Sequence, residues 1–174
     1  GRPDLARHLA AFAGSRETQL GVATTFVRRG LDDGNRCVYL VDANTREDLL
    51  TALRAGGVDV EARVAAGDLV VSPGVEAYAN AGFDPDRLIA RIEETCAESL
   101  ADGYEGLWLA GETSWHFHTG RSYDHVIDFE AEFDAACPDI PVTALCQYDV
   151  ERFCDDSIAK ALWTHEQVVY RATV

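Results

Sequence analysis

The stretch "LWLAGETSWHFHTG", residues 107–120, decides how the fold is read. A short apolar run ends at an acid, Glu112, and Trp115, His116 and His118 follow within six residues. A continuous apolar run of this length, bounded by glycines, reads as a strand buried on both faces. "RCVYLVD" (36–42), rich in β-forming residues, and "PVTALCQYD" (141–149) read the same way. "DLVVS" (68–72), "HLAAFA" (8–13) and "QVVYRA" (167–172) complete the predicted strands.

Helical patterns fill the gaps. Ser15 starts a helix with Leu20, Ala23, Phe26 and Val27 on one face, and "GLDDGN" ends it. "NTREDLLTALRAGG" is capped by Asn44 or Thr45 and stopped by Gly56 and Gly57. A short helix is expected around 60–66. In "FDPDRLIARIEETCAESLADGY" Asp84 caps, Pro85 takes the first helical position and Gly103 lies past the end. Its buried stripe is predicted as Leu88, Ile89, Ile92, Cys96 and Leu100. "SYDHVIDFEAEFDAAC" puts Val126, Phe129, Glu130 and Phe133 at helical spacing and stops at Pro138, and a last short helix is expected around 156–163. This alternation predicts an α/β fold: one three-layer domain over residues 1–174, with a mainly parallel sheet and helices on both faces. Such sheets bind ligands beyond the carboxyl ends of their strands. "GETSWHFH" and "CQYD" are therefore expected side by side at a ligand edge.

Charge narrows the partners. The 174 residues carry 30 Asp and Glu against 15 Lys and Arg, net −15, and Lys160 is the only lysine. So acidic a surface repels phosphate backbones, which argues against direct nucleic-acid binding. The same bias fits a protein adapted to high salt, where screening quiets self-repulsion. No apolar run is long enough to span a bilayer, and no signal-peptide pattern opens the sequence. Cys37, Cys96, Cys137, Cys146 and Cys154 are odd in number and widely spaced, without C-x-x-C. A reduced, cytoplasmic setting is expected rather than a disulfide framework.

Several chemistries suit the predicted edge. A P-loop ATPase is disfavoured, because "AGSRETQLG" after the first strand lacks the lysine of G-x-x-x-x-G-K-[ST], and G-x-G-x-x-G is absent too. His116 and His118, two apart, would face one side of an extended segment and are weak metal candidates, with Cys146 and His165 as further donors. Acid–base or nucleophilic work could use Glu112 and Asp149, or Cys146 with His165 or His8, although no G-x-S-x-G elbow is present. A binding pocket would take walls from Trp108, Trp115, Phe117 and Tyr148, and polar anchors from His8, Glu112, Asp149 and His165. Glu130, on an apolar helix face, reads as a structural acid in need of a partner such as an arginine or a strand-end hydroxyl.

"HLAAF", "RRGLDDGNRCVYLVDANTREDLLTALRAGGVDVEARVAAGDLVV", "FDPDRL", "DGYEGLWLAGETSW", "FEAEF", "PVTALCQYD" and "WTHEQVV" occur in this order. Together, from about His8 to Val169, they resemble the DcmR-type sensory domain, the MEDS family. G-E-x-S-W and C-Q-Y-D are the most specific pieces. The resemblance implies a RecA/KaiC-like core with a decayed Walker A loop. It further implies a non-catalytic sensor of small hydrocarbon derivatives, coupled in cis or in trans to a histidine kinase or helix-turn-helix regulator. The family's N-terminal pattern runs from a His to a Tyr. Here His8 is present but Phe12 stands near the tyrosine position, and Thr113 replaces an apolar residue in "GETSW". In this reading Trp115 is an apolar wall, Glu112 and His8 orient the ligand or hold the pocket, Cys146 and Tyr148 line the floor, His165 closes one side, and Asp149 is a further ligand-binding residue. The cofactor is unknown, and a homodimer is one expected assembly. An enzyme using Glu112 and Cys146, a degenerate nucleotide-binding protein, and a Cys/His metal or haem redox sensor stand as alternatives.

Overall fold

In the computed structural model, which describes residues 7–80 and 82–169, six strands form one wholly parallel sheet. They are β1 (His8–Ala13), β2 (Arg36–Val41), β3 (Leu69–Pro73), β4 (Leu107–Glu112), β5 (Val142–Asp149) and β6 (Gln167–Val169), in the spatial order β3-β2-β4-β5-β1-β6. The helices are α1 (Arg16–Asp32), α2 (Arg46–Ala55), α3 (Val60–Ala66), α4 (Gly74–Asn80), α5 (Pro85–Ala101), α6 (Asp124–Ala136) and α7 (Asp155–Trp163), with 3-10 turns at Thr113–His118 and Cys137–Asp139.

The helix starts follow the predicted capping chemistry. Ser15 accepts from the Thr18 N–H, Asp84 from the Arg87 N–H, and Thr45 with Asp48 forms a complete capping box. Thr45, not Asn44, is the cap; Asn44 is drawn into a buried network described below.

The period-2 alternation of the strands then builds two cores. On one face Leu9, Ala11, Cys37, Tyr39, Trp108 and Leu145 pack against Val22, Phe26, Val27, Leu49 and Leu53 of α1 and α2. On the other, Leu107, Val142 and Ala144 pack against Leu88, Phe129 and Phe133 of α5 and α6. This is the three-layer arrangement expected. The first core is tight: a Cβ on Gly30 would lie 2.7 Å from Cys37 Sγ and 2.9 Å from the Trp108 ring, so α1 can approach the sheet only with glycine there.

Two local readings change. Leu100 is 47% exposed, and buried Ser99 takes its place in the α5 stripe. From Leu88, eleven residues complete three turns, whereas twelve overshoot the buried face by about a third of a turn. Helix α4 follows directly from β3, where no helix was predicted. Strand β6 spans Gln167–Val169, and residues 170–172 of the predicted strand lie outside the described residues. The β1–α1 connection consists of Gly14 and the cap Ser15, with α1 beginning at Arg16.

Candidate functional site

Strands β4 and β5 are adjacent and in register, with Gly111 opposite Cys146 and Glu112 opposite Gln147. Because side chains alternate, the residues expected to share one hollow divide between the two faces of the sheet.

On the α1 side, Glu112 is 1% exposed. Its Oε2 accepts from the backbone N–H groups of Asp42 and Asn44, both at 3.0 Å, and its Oε1 accepts from the Asn44 amide at 2.9 Å. The Asn44 amide also donates to Gln19 Oε1 at 2.8 Å, and Gln147 donates to the Gln19 carbonyl at 3.0 Å. The Tyr39 hydroxyl donates to Gln147 Oε1 at 2.5 Å. Burial raises the Glu112 carboxyl above its ordinary pKa, and the hydrogen bonds from Asn44 and Asp42 pull it part of the way back. Glu112 therefore ties the β2–α2 connection to β4 and β5. The sequence pointed to Asn44 only as a helix cap and to Gln147 only as part of C-Q-Y-D, and gave Tyr39 and Gln19 no role at the site. Only contact across three strands and a helix makes them a unit.

On the α6 side, the opposite face of the sheet carries a second cluster. His8 from β1, Cys146 and Tyr148 from β5, Glu130 from α6 and His165 after α7 converge. His8 Nε2 stands 3.0 Å from Glu130 Oε2, and His165 Nε2 stands 3.4 Å from the same oxygen. The Cys146 thiol donates to Glu130 Oε2 at 3.6 Å and lies 3.8 Å from His8 Nε2. The Tyr148 hydroxyl donates to Glu130 Oε1 at 3.2 Å. Glu130 is thus partnered as the apolar helix face required, but by imidazoles and a tyrosine rather than an arginine. Burial pushes its pKa up, yet the His165 and His8 imidazoles and the Tyr148 hydroxyl outweigh this and hold it below the ordinary value. Burial lowers the His8 pKa, but Glu130 and Asp134 overcome it and the net shift is upward; His165 is shifted down by burial. Burial and the nearby Glu130 carboxylate hold the Cys146 thiol well above its ordinary pKa, which leaves it a poor nucleophile.

The remaining predicted residues stand apart from these clusters. Asp149 accepts from the Glu151 N–H at 3.0 Å and closes the turn after β5. His116 and His118 do not face one side of an extended segment. They lie on the Thr113–His118 3-10 turn, where His116 packs against Tyr123 and Phe153 while His118 Nε2 reaches Asp42 Oδ1 at 3.0 Å. Cys146 and His165 meet His8 and Glu130 instead of that pair.

Trp115 is buried, and its ring stacks on Tyr78 of α4 at 3.9 Å and on Phe83 at 5.7 Å. Tyr78 in turn lines a cavity of about 180 Å³ between the sheet and α4–α5, walled by Val38, Leu40, Leu109, Leu88 and Ile92. A larger cavity, about 620 Å³, opens at the amino ends of β1, β4 and β5, with Arg7, His8, Glu105, Asp134 and Glu166 among its lining residues. Among the described residues, no helix is long and apolar enough to cross a membrane.

Comparison with known proteins agrees with this architecture. A crystal structure of a KaiC-like protein from the hyperthermophilic archaeon Pyrococcus horikoshii superposes with a TM-score of 0.64, at 14% identity, over 94% of this chain and 71% of that one. The transcriptional repressor DcmR of Methylorubrum extorquens is 26% identical over 160 residues, 91% of this chain. The match spans 58% of the repressor's length. Residues 7–166 match the family model described as the methanogen/methylotroph, DcmR sensory domain. The chain belongs to the MEDS family of sensory domains.

Proposed function

We propose that this sensory domain binds a small, mostly apolar molecule in the cavity between β2–β4 and α4–α5, and reports it through Tyr78 and Trp115. The observation that carries this reading is the cavity itself, with apolar walls on the sheet and on α5 and one aromatic side that continues into the Trp115 stack. About 150 Å³ of dry apolar space holds a benzene-sized guest, so about 180 Å³ suits a molecule of a few heavy atoms. A guest there presses on Tyr78, whose ring carries the contact from α4 to Trp115 in the Thr113–His118 turn. Binding must favour one position of α4 for a signal to pass.

In this reading Trp115 is the wall that responds, while Cys146, Tyr148, His8 and His165 form the buried layer beneath the edge. Glu112 and Asp149 hold the edge loops in place. The protein acts without catalysis in the cytoplasm, and its output is a histidine kinase or helix-turn-helix regulator in cis or in trans. The repressor relative supports the regulatory output. A homodimer would use the exposed Leu162, Trp163 and Val168 beside the sheet edge.

Benzene titration of a Trp108→Phe, Trp163→Phe background, in which Trp115 is the sole tryptophan, tests the site. Saturable change in Trp115 emission, lost when Ala77→Leu fills the cavity, is the expected result. An absent response, or one that Ala77→Leu leaves intact, would reject this ligand site.

A further inference from the structure

The cluster on the α6 face has a geometry the ligand cavity does not need. His8, Glu130, Cys146 and His165 each turn one donor atom inward, and the four donors lie within 4.8 Å of one another. Tetrahedral bonds of about 2.0–2.3 Å place neighbouring donors roughly 3.3–3.7 Å apart. The separations of 3.0, 3.4, 3.6 and 3.8 Å around Glu130 Oε2 and Cys146 Sγ bracket that range.

Both imidazoles are also oriented from outside. His8 Nδ1 is bound to Asp134 Oδ1 at 3.1 Å, and His165 Nδ1 to the Ala161 carbonyl at 2.7 Å. This leaves each Nε2 facing inward, the arrangement by which carboxylates and carbonyls set metal-binding histidines. His165 Nε2 is buried and makes no hydrogen bond among the described residues, its approach to Glu130 Oε2 at 3.4 Å being an electrostatic contact only. Buried polar atoms are nearly always satisfied, so an orphan aimed at a carboxylate, an imidazole and a thiol is an independent sign that a ligand belongs between them. Asp134 and His8 also line the acidic cavity at the amino edge, which gives a cation a route inward.

We propose that His8, Glu130, Cys146 and His165 form a tetrahedral site for a divalent cation of the zinc type. Two imidazoles, a carboxylate and a thiolate make a mixed set that suits zinc and is too soft for magnesium or calcium. With the thiolate and carboxylate both charged, the metal's two positive charges are cancelled inside the buried site. The ion would join β1, β5, α6 and the segment after α7, four elements distant in sequence.

The test is titration of the chelator-treated full chain with cobalt(II), followed by displacement with zinc(II). The expected result is uptake of one cobalt per chain, with the intense visible bands of tetrahedral cobalt, a thiolate-to-cobalt band in the near ultraviolet, and loss of both on adding zinc. Cys146→Ser should remove the thiolate band, while Cys154→Ser, at an exposed thiol, should keep it. Asp134→Asn, at a partly exposed position that should not impair folding, should weaken affinity roughly 10–100-fold by freeing the His8 ring. Circular dichroism of each variant separates lost binding from lost fold. No stoichiometric uptake by the folded wild-type chain would overturn the proposal, as would a thiolate band that survives Cys146→Ser in folded protein.

Discussion

Replacing Glu112 discriminates between a side chain that holds the edge and one that greets a ligand. In Glu112→Ala, three donors lose their acceptor: the part-buried N–H of Asp42, the buried N–H of Asn44 and one hydrogen of the buried Asn44 amide. An unsatisfied buried donor costs about 1–3 kcal/mol. Even with relief of the carboxylate's own burial, a loss of roughly 3–6 kcal/mol is expected, a large share of the 5–15 kcal/mol typical of a domain. Glu112→Gln should lose less, about 1.5–3 kcal/mol, because one carbonyl oxygen remains while the new amide faces N–H donors. Urea unfolding followed by tryptophan fluorescence gives both values, provided the slope stays constant so that midpoints report stability. The benzene response of folded Glu112→Gln should be preserved. A midpoint change equivalent to under about 0.5 kcal/mol, as for ordinary surface substitutions, would refute the view that this carboxylate holds three elements together.

The same residue sets a pH dependence. Its folded pKa is raised, so its contribution to stability is full below the ordinary value of 4.5 and is lost as pH rises through the folded value. Subtracting the Glu112→Gln stability profile from the wild-type one should reveal that decline, and a difference that rises over the window would contradict it. Gly30→Ala should cost about 1–3 kcal/mol by overpacking against Cys37 and Trp108, partly offset by better helix propensity, with recovery in Gly30→Ala, Cys37→Ala measured by thermal melting. Thr45→Ala should lose about 1 kcal/mol with the α2 capping box, read from the urea midpoint. With net charge −15, thermal stability should climb as sodium chloride is added through the range where screening shortens, and a flat or falling curve would reject salt adaptation.

The strands, the helix caps and the layer order were legible because each rests on local rules: apolar runs for buried strands, Asp84 before Pro85, Thr45 three residues before Asp48. Helix α4 was not, since "GVEAYAN" has little apolar periodicity, and Tyr78 on it packs against Trp115. The 3-10 turn at Thr113–His118 was missed for a similar reason: its buried Trp115 and His116 are held by rings from distant segments.

Residue type and spacing alone determined that the chain alternates strands with helices, carries a strong negative charge, and concentrates unusual residues after β4 and in β5. Which of those residues meet was decided only in three dimensions. Glu112 and Cys146 lie on adjacent strands one register step apart, and pleating sends them to opposite faces. Glu130 and His165 reach His8 and Cys146 because α6 and the segment after α7 cross the sheet at that place. Side-chain direction and helix crossing depend on the whole packed assembly, and neither is written in any one stretch.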